Sequence, residues 1–223
     1  EVACLSALSG SGLAPQLCAA EPRAEIPWVL YHHLPGEPWA RDPAAVARLL
    51  AKVHRRPPPA ELPAGPDGGA DLLRQTRALL ALCPQGAAEL AALQPAGAVP
   101  PAAARRLIHG DPVPGNIVMR GARAALIDWQ CPAAGDPAED LALFASPAMQ
   151  LVYRGAPLSA AELEVFLAAY PDRAVVRRYL SLRPWFHWRM AAYCLLQAGR
   201  GHAAYAQGLA LERAALPAYS SAR

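Results

Sequence analysis

The stretch His109-Gly110-Asp111-Pro112-Val113-Pro114-Gly115-Asn116, followed twelve residues later by Asp128 in Leu126-Ile127-Asp128-Trp129, decides how this chain reads. An Asp and an Asn five residues apart on one tight loop, with a second Asp at a neighbouring strand end, gather several oxygen acceptors in one place. Phosphoryl transfer from a nucleotide to an alcohol needs such a set. A carboxylate orients the hydroxyl and takes its proton, and hard oxygen ligands hold Mg²⁺ on the phosphates. Singly, Asp111 before Pro112 and Asn116 are ordinary turn residues; the joint spacing with Asp128 favours the chemical reading.

Around this stretch the chain alternates in character. Three brief apolar runs, 107–109, 116–119 and 124–127, read as a hairpin built around a polar loop. Upstream, Glu1 to Ser9 has helical spacing and stops at Gly10-Ser11-Gly12. Runs 15–19 and 26–30 suit a strand pair feeding into Tyr31-His32-His33-Leu34-Pro35-Gly36. Asp42-Pro43 supplies an N-cap and N1 proline for a helix through Ala47, Leu50, Val53 and His54, which Pro57-Pro58-Pro59 ends. Helical patterns follow at about 70–82 and 87–93. Beyond Asp128 helices are expected at 137–144, 160–169, 172–182, 184–198 and near 203–215.

Three blocks, His109-Gly-Asp111-x-x-x-x-Asn116, Ile127-Asp128-Trp129 and Gly135-Asp136-Pro137-x-x-Asp140-Leu141-Ala142, resemble the aminoglycoside phosphotransferase and choline kinase family in order and spacing. The resemblance implies an α+β, protein-kinase-like two-lobe fold. It would have a truncated N-lobe of short strands over residues 1–34, including the hinge, and a mainly helical C-lobe over 35–223 with a catalytic-loop hairpin. It implies that Asp111 is the catalytic base, that Asn116 and Asp128 hold metal, and that His109 and Asp140 support the loop. Glu1 resembles the glutamate that pairs with the ATP-binding lysine, and His32, His33 and Leu34 resemble the hinge that meets adenine. The expected function is ATP- and Mg²⁺-dependent phosphorylation of a small-molecule alcohol. The alternatives are a non-catalytic kinase-like binding module, an aminoglycoside or sugar kinase, and a metal-dependent phosphohydrolase using His109, Asp111 and Asp128.

The sequence departs from the family in two places. Gln130 follows Asp128-Trp129 where many members carry an acid. No Gly-rich strand pair or strand lysine precedes Glu1, and Lys52, the one lysine among 21 basic residues, lies after the hinge on a helix. A chain that opens on Glu1 and has no methionine before Met119 is expected to be a piece of a longer reading frame, poorly active alone. Trp129, Trp185 and Trp188 are candidates for holding a cationic amine of the choline, ethanolamine or thiamine kind by cation–π attraction, against the reading of Trp185, Trp188 and Tyr193 as core packing.

Composition limits the remaining readings. With 223 residues, 54% hydrophobic and a net charge of +3, the chain can bury a full core and carries no polybasic tail. Its arginine pairs are dispersed, which argues against nucleic acid. No apolar run spans a bilayer, so no membrane partner is expected and the cytoplasm is the expected compartment. The five scattered cysteines read as small buried apolar residues.

Overall fold

The computed structural model describes residues 1–216. Helix α1 (Val2–Ala7) ends where Gly10 and Gly12 take left-handed backbone conformations. Strands β1 (Leu17–Glu21) and β2 (Trp28–Tyr31) pair antiparallel, Leu17 facing Tyr31 and Glu21 facing Trp28. Helix α2 (Pro43–Val53) begins as its sequence dictates: the Asp42 carboxylate accepts the Ala45 N–H at 3.0 Å and Pro43 fills the first helical position. Helices α3 (Gly68–Ala81) and α4 (Ala87–Ala91) follow.

The strands around the decisive loop are arranged differently from the single hairpin expected. β5 (Ile117–Arg120) and β6 (Arg123–Leu126) do form one, closed by a two-residue turn with Gly121 at positive φ. β4 (Arg106–Ile108) instead pairs with β7 (Ala133–Gly135). β7 carries no β-branched or aromatic residue to announce it. It is a strand because it lies tight against β4: a β-carbon on Gly135 would sit 2.6 Å from the Ile108 side chain. A short β3 (Glu37–Pro38), also unheralded, extends the β5–β6 pair at its edge, where a proline is tolerated.

The remainder is helical: α5 (Pro137–Ala145), α6 (Pro147–Arg154), α7 (Ala160–Ala169), α8 (Arg173–Gly199) and α9 (Ala204–Ala215). Two expectations are corrected. Helix α6 was not anticipated, although Ser146 caps it and Gly155 closes it in a left-handed conformation. The helices expected at 172–182 and 184–198 are one, α8, with Pro184 inside it. An internal proline costs about 3 kcal/mol. Burial of Tyr179, Trp185, Phe186 and Trp188 around it contributes about 1.5–3 kcal/mol for each large side chain, which outweighs that cost.

A large core joins α2, α5, α7 and α8. A smaller one, made of Val113, Ala148, Met149, Met190 and Cys194, sits directly under the 109–116 loop. The cysteine expectation holds for Cys4 and Cys194, whereas Cys18 and Cys131 are exposed. Among the described residues no helix is long and apolar enough to cross a membrane. Residues 217–223, which the sequence assigns to the second lobe, lie outside the described residues.

Candidate functional site

The 109–116 loop hangs from one buried carboxylate. Asp140, on α5 and fully buried, accepts the backbone N–H groups of His109 at 2.8 Å and Gly110 at 2.9 Å. It also bonds His54 Nε2 at 2.9 Å, and His54 Nδ1 meets the Tyr170 hydroxyl at 2.8 Å. Burial alone would push the Asp140 carboxyl up. The His54 hydrogen bond and charge, with His109, outweigh that and hold it below the usual aspartate range.

Gly110 is a glycine for two reasons. Its φ is +81°, and a β-carbon there would lie 2.0 Å from the Cys131 carbonyl oxygen. The His109 ring is buried, packs edge-on against Trp129 with centroids 4.6 Å apart, and accepts the Asp111 N–H on Nδ1. That leaves the proton on Nε2, which donates to the Ile127 carbonyl at 3.0 Å. Burial lowers the His109 pKa and keeps the ring neutral, so it ties the loop to the end of β6 without adding charge.

Asp111 is thereby aimed outward. The Asn116 amide donates to its backbone carbonyl at 2.9 Å and to its carboxylate Oδ2 at 3.1 Å. Burial, then the nearby charge of Asp128, raises the Asp111 carboxyl above the usual range, against the opposing Asn116 bond. The Ile127 N–H donates to the Asn116 carbonyl at 2.9 Å, so the base of the hairpin carries Asn116 just before one strand and Asp128 just past the other. Asp128 is exposed and sits at φ 59°. Both Asn116 amide bonds are made through nitrogen, and its side-chain oxygen takes part in neither. That oxygen and an Asp128 carboxylate oxygen fit a hard cation that keeps waters and phosphates as its other ligands. Among the described residues no group of three His, Cys, Asp or Glu forms a closed metal site.

Asp111 and Gly110 open onto a cavity of about 500 Å³. Its walls include Tyr153, Tyr193 and Tyr205, and an ion pair between Arg189 and Glu139. Tyr193 and Tyr205 meet edge to face at 5.7 Å, and Tyr153 lies so close over the loop that a β-carbon on Gly115 would be 2.9 Å from its ring. A second cavity, of about 450 Å³, brings Glu1 together with Trp28, Val29, Tyr31 and Gln130. His32, His33 and Leu34 lie on the connection from β2 to β3, outside the linings of both, and the His32 N–H is occupied by the Gln16 carbonyl at 2.9 Å.

The tryptophans are placed otherwise than expected for substrate contacts. Trp129, Trp185 and Trp188 are all buried core residues, and the Trp188 indole donates to the Leu90 carbonyl at 2.7 Å. Their size and mostly apolar neighbours drive them inward, and the cavity wall falls to tyrosines, which keep a wet hydroxyl. Sequence reasoning missed His54, Tyr153, Tyr205 and Arg189 in these positions. His54 left one signal: a polar residue directly following the apolar Val53 at the C-terminal end of α2.

The phosphotransferase enzyme family matches residues 1–179 of the chain. Among solved structures, a choline/ethanolamine kinase family protein from Mesorhizobium loti is similar with a TM-score of 0.64 at 16% identity, over 96% of this chain and 79% of that one. A choline kinase from Streptococcus pneumoniae gives 0.61 at 17% identity, over 96% and 78%. An aminoglycoside phosphotransferase from Streptomyces rimosus, solved in complex with ADP and streptomycin, gives 0.52 at 18% identity, over 83% and 81%. These likenesses speak for the fold. No curated protein matches the sequence significantly.

Proposed function

Because the chain belongs to the phosphotransferase enzyme family, we propose that it transfers the γ-phosphoryl group of ATP, with Mg²⁺, to the hydroxyl of a small amine-bearing alcohol in the cytoplasm. The observation that carries this reading is the Asp111 carboxylate, oriented by Asn116 at the floor of the tyrosine-walled cavity.

In this reading the acceptor enters that cavity and its hydroxyl donates to Asp111. As the acceptor oxygen bonds to the γ-phosphorus and the bond to the ADP oxygen breaks, Asp111 receives the hydroxyl proton. Its raised pKa suits a group that must take a proton during transfer. Asn116 and Asp128 would hold Mg²⁺, which when bound neutralises charge on the phosphates. His109 and Asp140 keep the loop rigid so that Asp111 stays aligned. The nucleotide would lie against residues 1–31, with Glu1, Trp28, Val29 and Tyr31 lining the second cavity on that side. The faces of Tyr153, Tyr193 and Tyr205 suit an ammonium group, each such contact contributing about 0.5–2 kcal/mol.

The test is Asp111→Asn, with ADP release followed for choline, ethanolamine, thiamine, a simple sugar and streptomycin. Turnover with the preferred acceptor should fall by about 10²–10⁴-fold while nucleotide binding survives. Unchanged turnover removes Asp111 from the chemistry, and exclusive use of streptomycin replaces the acceptor class.

A further inference from the structure

The chain has a third cavity, of about 640 Å³, which the phosphotransfer reading leaves unused. It lies between α2, the loop after α1 and the turn of the β5–β6 hairpin. Five of its lining residues are cationic: Arg48, Lys52, Arg55, Arg56 and Arg123. They include the chain's one lysine. Arg48 lies 3.8 Å from Asp42, which is outside the lining, with both side chains about half exposed. Among the described residues Lys52, Arg55, Arg56 and Arg123 form no ion pair with a carboxylate.

An ordinary solvated helix face does not account for this arrangement. Arg48 and Lys52 stand at i, i+4 positions on α2, where like charges oppose the helix, and Arg55 and Arg56 follow on the turn beyond its end. Cations near the C-terminal end of α2 gain from its dipole, which explains Lys52 and Arg55. Arg123 gains nothing from it, because it enters from β6 on the opposite wall. Charges that repel one another, gathered from two elements around a concave space, are stabilised by an anion between them.

We propose that this cleft binds a compact, multiply phosphorylated soluble anion, at a site separate from the phosphoryl-transfer site. Five residues of extended chain separate Arg123 from Asp128, about 16 Å at strand rise, and the cleft shares no lining residue with the cavity beside Asp111. Concavity favours a small ligand that enters over a flat lipid surface, and a cluster this confined offers no track for an extended nucleic-acid strand. The cleft and the site share a structural element all the same. The Leu126 N–H donates to the Leu13 carbonyl at 2.9 Å, tying the cleft's loop to the hairpin whose base carries Asn116 and Asp128.

Titration calorimetry of the full chain with inorganic tripolyphosphate, in EDTA and without acceptor, tests the inference independently of the phosphotransfer reading. Tripolyphosphate should bind, orthophosphate much more weakly, and binding should weaken steeply with salt. Arg123→Glu and Lys52→Glu should each weaken it about tenfold or more, with Mg-ATP binding unchanged. Arg123→Gln, which adds no repulsion, should show the same direction. Equal tripolyphosphate affinity in wild type and variants overturns the proposal. So does charge-dependent binding confined to phosphatidylserine vesicles or to single-stranded DNA.

Discussion

A β-carbon on Gly110 has nowhere to go, and Gly110→Ala therefore measures how tightly the 109–116 loop is held. The added carbon would lie 2.0 Å from the Cys131 carbonyl oxygen. Carbon and carbonyl oxygen rest at about 3.3 Å, so loop and Cys131 must separate by about 1.3 Å. The φ of +81° adds about 1–2 kcal/mol of backbone strain. If the separation breaks the Gly110 N–H bond to Asp140, a hydrogen bond to a charged group worth about 1.5–3 kcal/mol goes with it. The sum is about 2.5–5 kcal/mol, which in a domain of this size lowers the thermal midpoint by roughly 5–20 °C. Asp111 follows Gly110 directly, and a displacement of about 1 Å at a reacting group costs about a hundredfold in turnover. Circular-dichroism melting and coupled ADP release read the two effects on the same preparation. A variant that melts within about a degree of wild type and turns over within about twofold would show that the loop yields freely, and the case for a rigidly aimed Asp111 would fail.

Other outcomes follow from the same geometry. His54→Ala leaves the buried Asp140 carboxylate without its side-chain partner and should cost about 3–5 kcal/mol in urea unfolding near neutral pH. Because the Asp140 pKa is depressed, its contribution is complete above the ordinary aspartate value of 3.8 and is lost as pH falls through the lower folded value. His54→Ala should therefore move acid unfolding to higher pH, and an unchanged acid midpoint would remove His54 from that role. Trp188→Phe removes the indole bond to the Leu90 carbonyl, which keeps the Leu93 N–H at 3.1 Å, and should cost about 0.5–1.5 kcal/mol of stability with no change in acceptor KM. A raised KM in that variant would return the tryptophans to the acceptor pocket.

Much of this architecture is legible in local chemistry. Asp42-Pro43 announces the start of α2, Ser159 with Glu162 forms a capping box at the start of α7, and the spacing of Asp111, Asn116 and Asp128 marks a loop joined to a hairpin base. What escapes the sequence is set by contacts between distant segments. Ala133-Ala134-Gly135 is a strand because Ile108 presses on Gly135, and Pro184 lies mid-helix because four aromatic side chains bury around it. The cavity beside Asp111 takes Tyr153 from α6, Tyr193 from α8 and Tyr205 from α9, residues that no periodicity links. His54 reads as one more position on an apolar helix face until Asp140 is folded against it.

The backbone of Asp128 narrows the chemistry that mutation can explore. At φ 59° the residue occupies a conformation open to Gly, Asn and Asp and closed to most other side chains. The metal-binding role proposed for Asp128 requires a negative charge, which restricts the choice to Asp or Glu. The two requirements intersect at one member of the amino-acid alphabet. Glutamate keeps the charge and loses the turn, asparagine and glycine keep the turn and lose the charge, and no single-residue path leads away from Asp128 without giving up one of them.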